Sequence, residues 1–122
     1  MYELEKTFYF EAAHSLKYHD GKCRNMHGHS YILMVCIRAQ SLQTSGPKVN
    51  MIMDFQDINN IVKPMIHQYL DHHCLNETLQ SDSTTVEFVC KWIFDFLEPK
   101  IQGLYAITLY ETATAKATYR KG

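Results

Sequence analysis

The run Cys23-Arg24-Asn25-Met26-His27-Gly28-His29 concentrates more potential chemistry than any other stretch of this chain. His27 and His29 are two positions apart at the start of an alternating apolar segment. On a strand their side chains therefore project to one face. Two imidazoles placed this way can meet a single ion at about 2.0–2.1 Å per bond. His14 ends the preceding strand-like segment and can add a third nitrogen from the neighbouring strand of a hairpin. Three histidines with an open fourth position form the donor set of a catalytic zinc site. The plainer alternative is a chance His-x-His in a chain that holds seven histidines.

Cys23 has two readings beyond a bystander thiol. It could complete a structural site of one Cys and three His, or be a reactive thiol beside the ion, where positive charge and Arg24 favour the thiolate. A second group is Asp71-His72, in which the carboxylate could orient the imidazole and raise its basicity. The alternative there is a polar helix end, where a histidine is favourable against the dipole. Glu111 closes an apolar strand and could accept a pair of N–H groups from a guanidine-like ligand; a solvated strand end is the competing view.

Several elements must position these residues. Residues 2–13 alternate as a strand with Phe8, Phe10 and Ala12 on one face, and His29 to Ala39 is a second, strongly apolar strand. The polar stretch from Lys17 to Asn25, with Asp20-Gly21, is a loop. Turn chemistry over Ser41 to Pro47 precedes a short strand expected at Val49 to Met53. Asp54 then reads as an N-cap, with Phe55, Ile58, Val62, Met65, Ile66 and Tyr69 at helical spacing and a kink expected at Pro64. A polar loop over Asp71 to Asp82 leads to Thr84-x-x-Glu87, a capping-box signature, with Val86, Val89, Cys90, Ile93, Phe94 and Leu97 as the apolar stripe behind it. Leu104 to Tyr110 and Ala115 to Tyr119 are the last two strands. The order ββααββ predicts an α+β domain, residues 1–122, with helices over one face of a four-stranded antiparallel sheet. The open edges of such a sheet favour self-association by edge pairing.

Composition bounds the remaining possibilities. The 122 residues suit one domain, and 46% hydrophobic residues permit a packed core. Twelve Lys+Arg against thirteen Asp+Glu leave a net charge of −1, which argues against nucleic acid as a partner. No segment suggests a membrane span, and the charged, alternating N-terminus lacks a signal core, so a cytoplasmic location is expected. Four cysteines are then thiols, with Cys36 and Cys90 expected as buried small hydrophobes. His19, His67 and His73 carry no assigned role.

Phe10-Glu11-Ala12-Ala13-His14, Cys23 through His27-Gly28-His29-Ser30-Tyr31, Met53-Asp54-Phe55, Leu70-Asp71-His72-His73, Thr85-x-Glu87 and Glu111-Thr112 together make the chain resemble the 6-pyruvoyl-tetrahydropterin synthase family. The resemblance is closest to its bacterial branch, the 6-carboxytetrahydropterin synthases of queuosine biosynthesis. It implies the tunnelling fold, in which ββααββ subunits pair into a barrel, here a homohexamer built as a dimer of trimers. It implies Zn2+ held by His14, His27 and His29, and Cys23 moving protons with Asp71 and His72 activating it. Glu111 would anchor a pterin, with Thr85 nearby, and sites would lie between subunits. The implied substrate is 7,8-dihydroneopterin triphosphate, converted by a lyase to the 6-carboxy product with release of acetaldehyde and triphosphate. The three-residue Cys-to-His spacing favours this over the pyruvoyl-forming branch; a non-enzymatic structural zinc domain is the alternative of another class. Lys22, Arg24 and Arg120 are candidates for the triphosphate by charge alone.

Overall fold

The computed structural model describes residues 1–122. Two long strands dominate it: β1 (Tyr2–His14) and β2 (His27–Ala39) form an antiparallel hairpin paired from Tyr2↔Ala39 to His14↔His27. Helix α1 (Phe55–Met65) follows, then β3 (His73–Cys74), a single turn α2 (Leu75–Thr78), α3 (Val86–Leu97), β4 (Leu104–Thr112) and β5 (Ala115–Arg120). The sheet order is β3-β1-β2-β4-β5.

The period-2 pattern selects one face of the sheet for the core. Phe8, Phe10 and Ala12 of β1 and Tyr31, Leu33, Val35 and Ile37 of β2 are buried, while their neighbours along the strands are not. Against that face pack Ile58, Val62 and Met65 of α1 and Val89, Cys90, Ile93, Phe94 and Leu97 of α3. The buried stripe of α3 is the one expected from its spacing; Val86 is only half-buried. In α1, Phe55 belongs to the same stripe by spacing but is 48% exposed at the first helical position.

Four expectations require correction. The sheet has five strands and is mixed, because β3 pairs in parallel with β1 at Ala12↔His73 and Ala13↔Cys74 within what reads as a polar loop. Val49 to Met53 is a turn and not a strand: Val49 N–H donates to the Gly46 carbonyl and Met51 N–H to the Lys48 carbonyl, which coils the segment on itself. The N-cap of α3 is Thr85, whose hydroxyl accepts from Phe88 N–H at 3.1 Å, so Thr84 and Glu87 form no capping box. Cys36 is half-buried on the face away from the helices, its Sγ 3.7 Å from Glu3 Oε1, whereas Cys90 is buried as expected. The desolvation of both thiols, with Glu3 and Glu5 beside Cys36, pushes each up to about 11.

Asp54 caps α1 as its sequence suggests, its carboxylate accepting from Gln56 N–H at 2.8 Å. Pro64 lies inside α1, where its missing N–H withdraws one helical hydrogen bond. The irregularity appears just after it, as a π turn over Ile66–Leu70 closed by Asp71 N–H to the Ile66 carbonyl at 2.8 Å. Gly103 occupies a left-handed conformation (φ +85°), and a Cβ there would lie 2.7 Å from the Arg38 carbonyl. No helix is long and apolar enough to cross a membrane.

Candidate metal centre and active site

His14 and His27 face each other across the last rung of the β1–β2 hairpin, and His29 lies opposite Ala12, one pleat further in. All three share the core-facing side, and one ring nitrogen from each falls within 4.8 Å of the others. The rings meet edge-on, with centroids 4.6, 4.9 and 5.1 Å apart. His14 is only 1% exposed, and that burial lowers its pKa despite the Thr84 carbonyl and Glu111 nearby.

Hydrogen bonds fix two of the tautomers. His14 Nδ1 lies 2.7 Å from the Thr84 carbonyl and His27 Nδ1 lies 2.7 Å from the Asn25 carbonyl. A carbonyl only accepts, so each Nδ1 carries the hydrogen and each Nε2 is left with a free lone pair. His14 Nε2 and His29 Nε2 are buried without a hydrogen-bond partner, a costly state for polar atoms unless a ligand satisfies them. Converging imidazoles, with carbonyl partners behind two of them, match the donor set and outer shell of a zinc site.

Two segments remote in sequence support His14 and the residue after it. Thr84 is fully buried just before α3, and its backbone supports His14. Asn76, in α2, accepts from Ser15 N–H at 2.8 Å and donates to the Ser15 and Ser81 carbonyls at 2.8 and 3.1 Å. It thereby ties the residue after His14 to the loop before α3. A side chain that spans 61 positions in sequence leaves no local signal, and Asn76 carries no motif by which its role could be read from the residues alone.

Cys23 is half-buried in a 3-10 turn, Lys22–Arg24, and its carbonyl accepts from Leu16 N–H at 2.8 Å. It is not part of the histidine cluster, which speaks against its being a fourth ligand. Asp71 and His72 lie beyond β1 on the β3 side. Asp71 Oδ2 is 2.9 Å from His72 Nδ1, and its Oδ1 accepts from Glu11 N–H at 2.9 Å. His72 N–H donates to the Glu11 carbonyl at 2.5 Å, and His72 itself is left-handed (φ +59°). Glu11 N–H foremost, then His72, holds the Asp71 carboxyl below its ordinary value. His72 lines an open cleft of about 470 Å³ with Glu11, Gly28, His29 and Ser30; Cys23 does not line it.

Glu111 stands beside the cluster of its own chain, with Oε2 3.8 Å from His14 Nε2 and Oε1 3.8 Å from His29 Nε2. The register shift between Tyr110 and Thr112 marks this point of β4. Thr85 adjoins the Thr84 carbonyl that supports His14, but its hydroxyl is engaged in capping α3. Arg24 lines a wholly polar cleft of about 590 Å³ with Lys17, Asn25 and Asn76, while Lys22 does not line it. Arg120 pairs with Ala106, at the opposite end of β4 from Glu111. Two further histidines have local roles: His19 Nδ1 accepts from Gly21 N–H, and His73 Nε2 lies 3.2 Å from the His67 carbonyl.

The 6-carboxy-5,6,7,8-tetrahydropterin synthase of Synechocystis sp. is 40% identical over 120 residues, covering 98% of this chain and 93% of that protein. The enzyme of the same name from Haemophilus influenzae is 34% identical over 142 residues, covering 99% of this chain and all of its own length (100%). Among solved structures, the 6-pyruvoyl tetrahydropterin synthase of Caenorhabditis elegans superposes with a TM-score of 0.83 at 27% identity, covering 99% of this chain and 96% of that one. The family model for 6-pyruvoyl tetrahydropterin synthase matches residues 3–122. With that match spanning the hairpin, the three histidines and Glu111, the chain belongs to the 6-pyruvoyl tetrahydropterin synthase family.

Proposed function

We propose that this protein is a zinc-dependent lyase that converts 7,8-dihydroneopterin triphosphate to 6-carboxy-5,6,7,8-tetrahydropterin, releasing acetaldehyde and triphosphate, in queuosine biosynthesis in the cytoplasm. The observation that carries the reading is the convergence of three imidazoles, two of whose Nε2 atoms (His14 and His29) are buried without partners, in a chain 40% identical to a 6-carboxy-5,6,7,8-tetrahydropterin synthase. His14, His27 and His29 would hold Zn2+. Bound there, the ion supplies Lewis-acid polarisation of the oxygens on the substrate side chain.

The chain's own residues supply the rest. The Cys23 thiol holds and moves a proton at the side-chain carbons. Asp71, fixed by Glu11 N–H, accepts from His72 Nδ1 and leaves Nε2 of that ring as the proton-accepting atom. Glu111 takes the paired N–H groups of the pterin, with Thr85 at the edge of the site. Arg24 is the triphosphate candidate of its cleft, where Lys17 is already paired with Asp82 at 3.7 Å and Asp20 adds a second carboxylate. Because His72 and Cys23 do not share the cleft beside β3, the reading includes self-association, as a dimer of trimers, that brings them together across subunits. The outer edge of β1 before Ala12 and the outer edge of β5 are both free to pair. The family model and the Caenorhabditis elegans structure support a second reading, in which triphosphate alone is eliminated and the pyruvoyl product forms.

Incubation of the zinc-loaded protein with 7,8-dihydroneopterin triphosphate, followed by mass spectrometry of the pterin and an acetaldehyde assay, separates these outcomes. Carboxy product with acetaldehyde supports the first reading and pyruvoyl product alone the second. No conversion by wild type would refute both. Cys23→Ala is expected to keep stoichiometric zinc and lose turnover; joint loss of zinc and fold would instead restore the structural-zinc alternative.

A further inference from the structure

Tyr31 is 1% exposed, and its hydroxyl is buried without a hydrogen-bond partner. A phenol O–H in that state is costly until something accepts from it. The ring cannot swing to find a partner: it stacks on Phe10 with centroids 4.9 Å apart and 12° from parallel, and the His29 ring meets it edge-on at 5.6 Å. A phenylalanine would fill the same space, so packing does not account for the hydroxyl. Tyr31 lines a cleft of about 480 Å³ with Tyr9, His29, Ser30, Glu111 and Thr112. The cleft opens because β2 pairs with β4 no further than Ile32↔Tyr110, which leaves the stretch from His29 to Tyr31 without a neighbour on that side. Burial foremost, and then the charge of Glu111, push the phenol pKa up, so the hydroxyl keeps its proton and remains a donor.

We propose that Tyr31 is a specificity-determining residue whose hydroxyl donates to the C4 carbonyl oxygen of a pterin bound in this cleft. The inference rests on the pterin reading above and adds a contact to it. Along one edge of a pterin the 2-amino group and N3–H are donors, and the next atom, the C4 oxygen, only accepts. A carboxylate followed by a fixed O–H matches that order. A site that keeps a buried hydroxyl for one oxygen discriminates against a ring that lacks it, because the hydroxyl is then left unpaired. The free protein bears the same unpaired group, so the contact is held ready at the expense of stability.

The test compares wild type with Tyr31→Phe, both as zinc-loaded full chains, using neopterin labelled with carbon-13 at C4. Fluorescence titration measures its affinity, and infrared difference spectra locate the labelled carbonyl. Competition with a chromophoric chelator and melting curves follow Zn2+ and the fold. Tyr31→Phe is expected to bind neopterin about tenfold more weakly, the worth of one hydrogen bond, and to move the carbonyl band to higher frequency. Its Zn2+ affinity should match that of wild type, and its Tm should equal or exceed it. Equal neopterin affinity would overturn the inference. Weaker affinity with the carbonyl band unmoved would also overturn it, since the hydroxyl would then act elsewhere than on C4. A lower Tm or a weaker hold on Zn2+ would give the hydroxyl a partner inside the protein, with the same result. A wild type that binds Zn2+ but no neopterin would overturn the pterin reading and this inference with it.

Discussion

Replacing Asn76 with alanine removes a three-bond clamp on the residue that follows His14, and the structure sets the size of the effect. The lost bonds are Ser15 N–H to Oδ1 at 2.8 Å and Nδ2 to the Ser15 and Ser81 carbonyls at 2.8 and 3.1 Å. At about 0.5–1.5 kcal/mol net for each bond, and with partial burial letting water rescue some of the exposed groups, the expected loss is about 2–3 kcal/mol. For a chain of this length that lowers Tm by about 8–12 °C. Ser15 is bonded directly to His14, so looser anchoring there is also expected to weaken Zn2+ binding by about tenfold. Asn76→Asp keeps the acceptor for Ser15 N–H, loses both donated bonds, and should fall between wild type and Asn76→Ala. Circular-dichroism melts and chelator competition on the three proteins measure both quantities. A Tm shift in Asn76→Ala below about 2 °C, less than half a kcal/mol on the same conversion, would refute the clamp. Unchanged zinc affinity would refute its link to His14.

Three further outcomes are expected. Thr85→Ala removes the cap of α3 and should cost about 1 kcal/mol in urea unfolding, whereas equal stability would return capping to Thr84. Zn2+ at a hundred times its Kd should raise unfolding free energy by about 2.7 kcal/mol, and His29→Ala should abolish that gain; an equal gain in the variant would remove His29 from the centre. Folding favours the Asp71 carboxylate through Glu11 N–H and then His72, so the unfolded chain binds more protons at this position. Its contribution is full above the ordinary value of 3.8 and is lost as pH falls through the lower folded value. Asp71→Asn should therefore flatten the acid limb of stability against pH, and unfolding curves at neutral and acid pH that differ as much as in wild type would contradict this.

What could be read directly from the residues was whatever rests on short-range periodicity. The alternation of Phe8, Phe10 and Ala12, the helical stripes of α1 and α3, and the shared face of His27 and His29 follow from one period each. What escaped depended on partners distant in sequence. The two residues of β3 lie in a polar Asp-His-His-Cys run and become a strand only because Ala12 and Ala13 offer an unpaired edge. Thr84 and Thr85 are both plausible caps; Thr85 takes the role while Thr84 is buried with its carbonyl on His14. Val49 to Met53 has strand-like residues but follows Gly46, whose positive φ turns the chain into a coil of local hydrogen bonds. The placement of Glu111 against the histidines of its own chain also depended on the fold, since a bulge in β4 sits at that residue.

The unequal settings of the four cysteines have a practical consequence. Cys36 and Cys90 are pushed up to about 11, so at neutral pH roughly one part in ten thousand of either thiol is the anion that attacks an alkylating reagent. Cys23 and Cys74 therefore remain as the two handles for selective labelling, one in the turn ahead of His27 and one on the strand that borders the Asp71–His72 cleft. A fluorophore or spin label on each, with the other replaced by serine, would report from two sides the arrival of a ligand at the site.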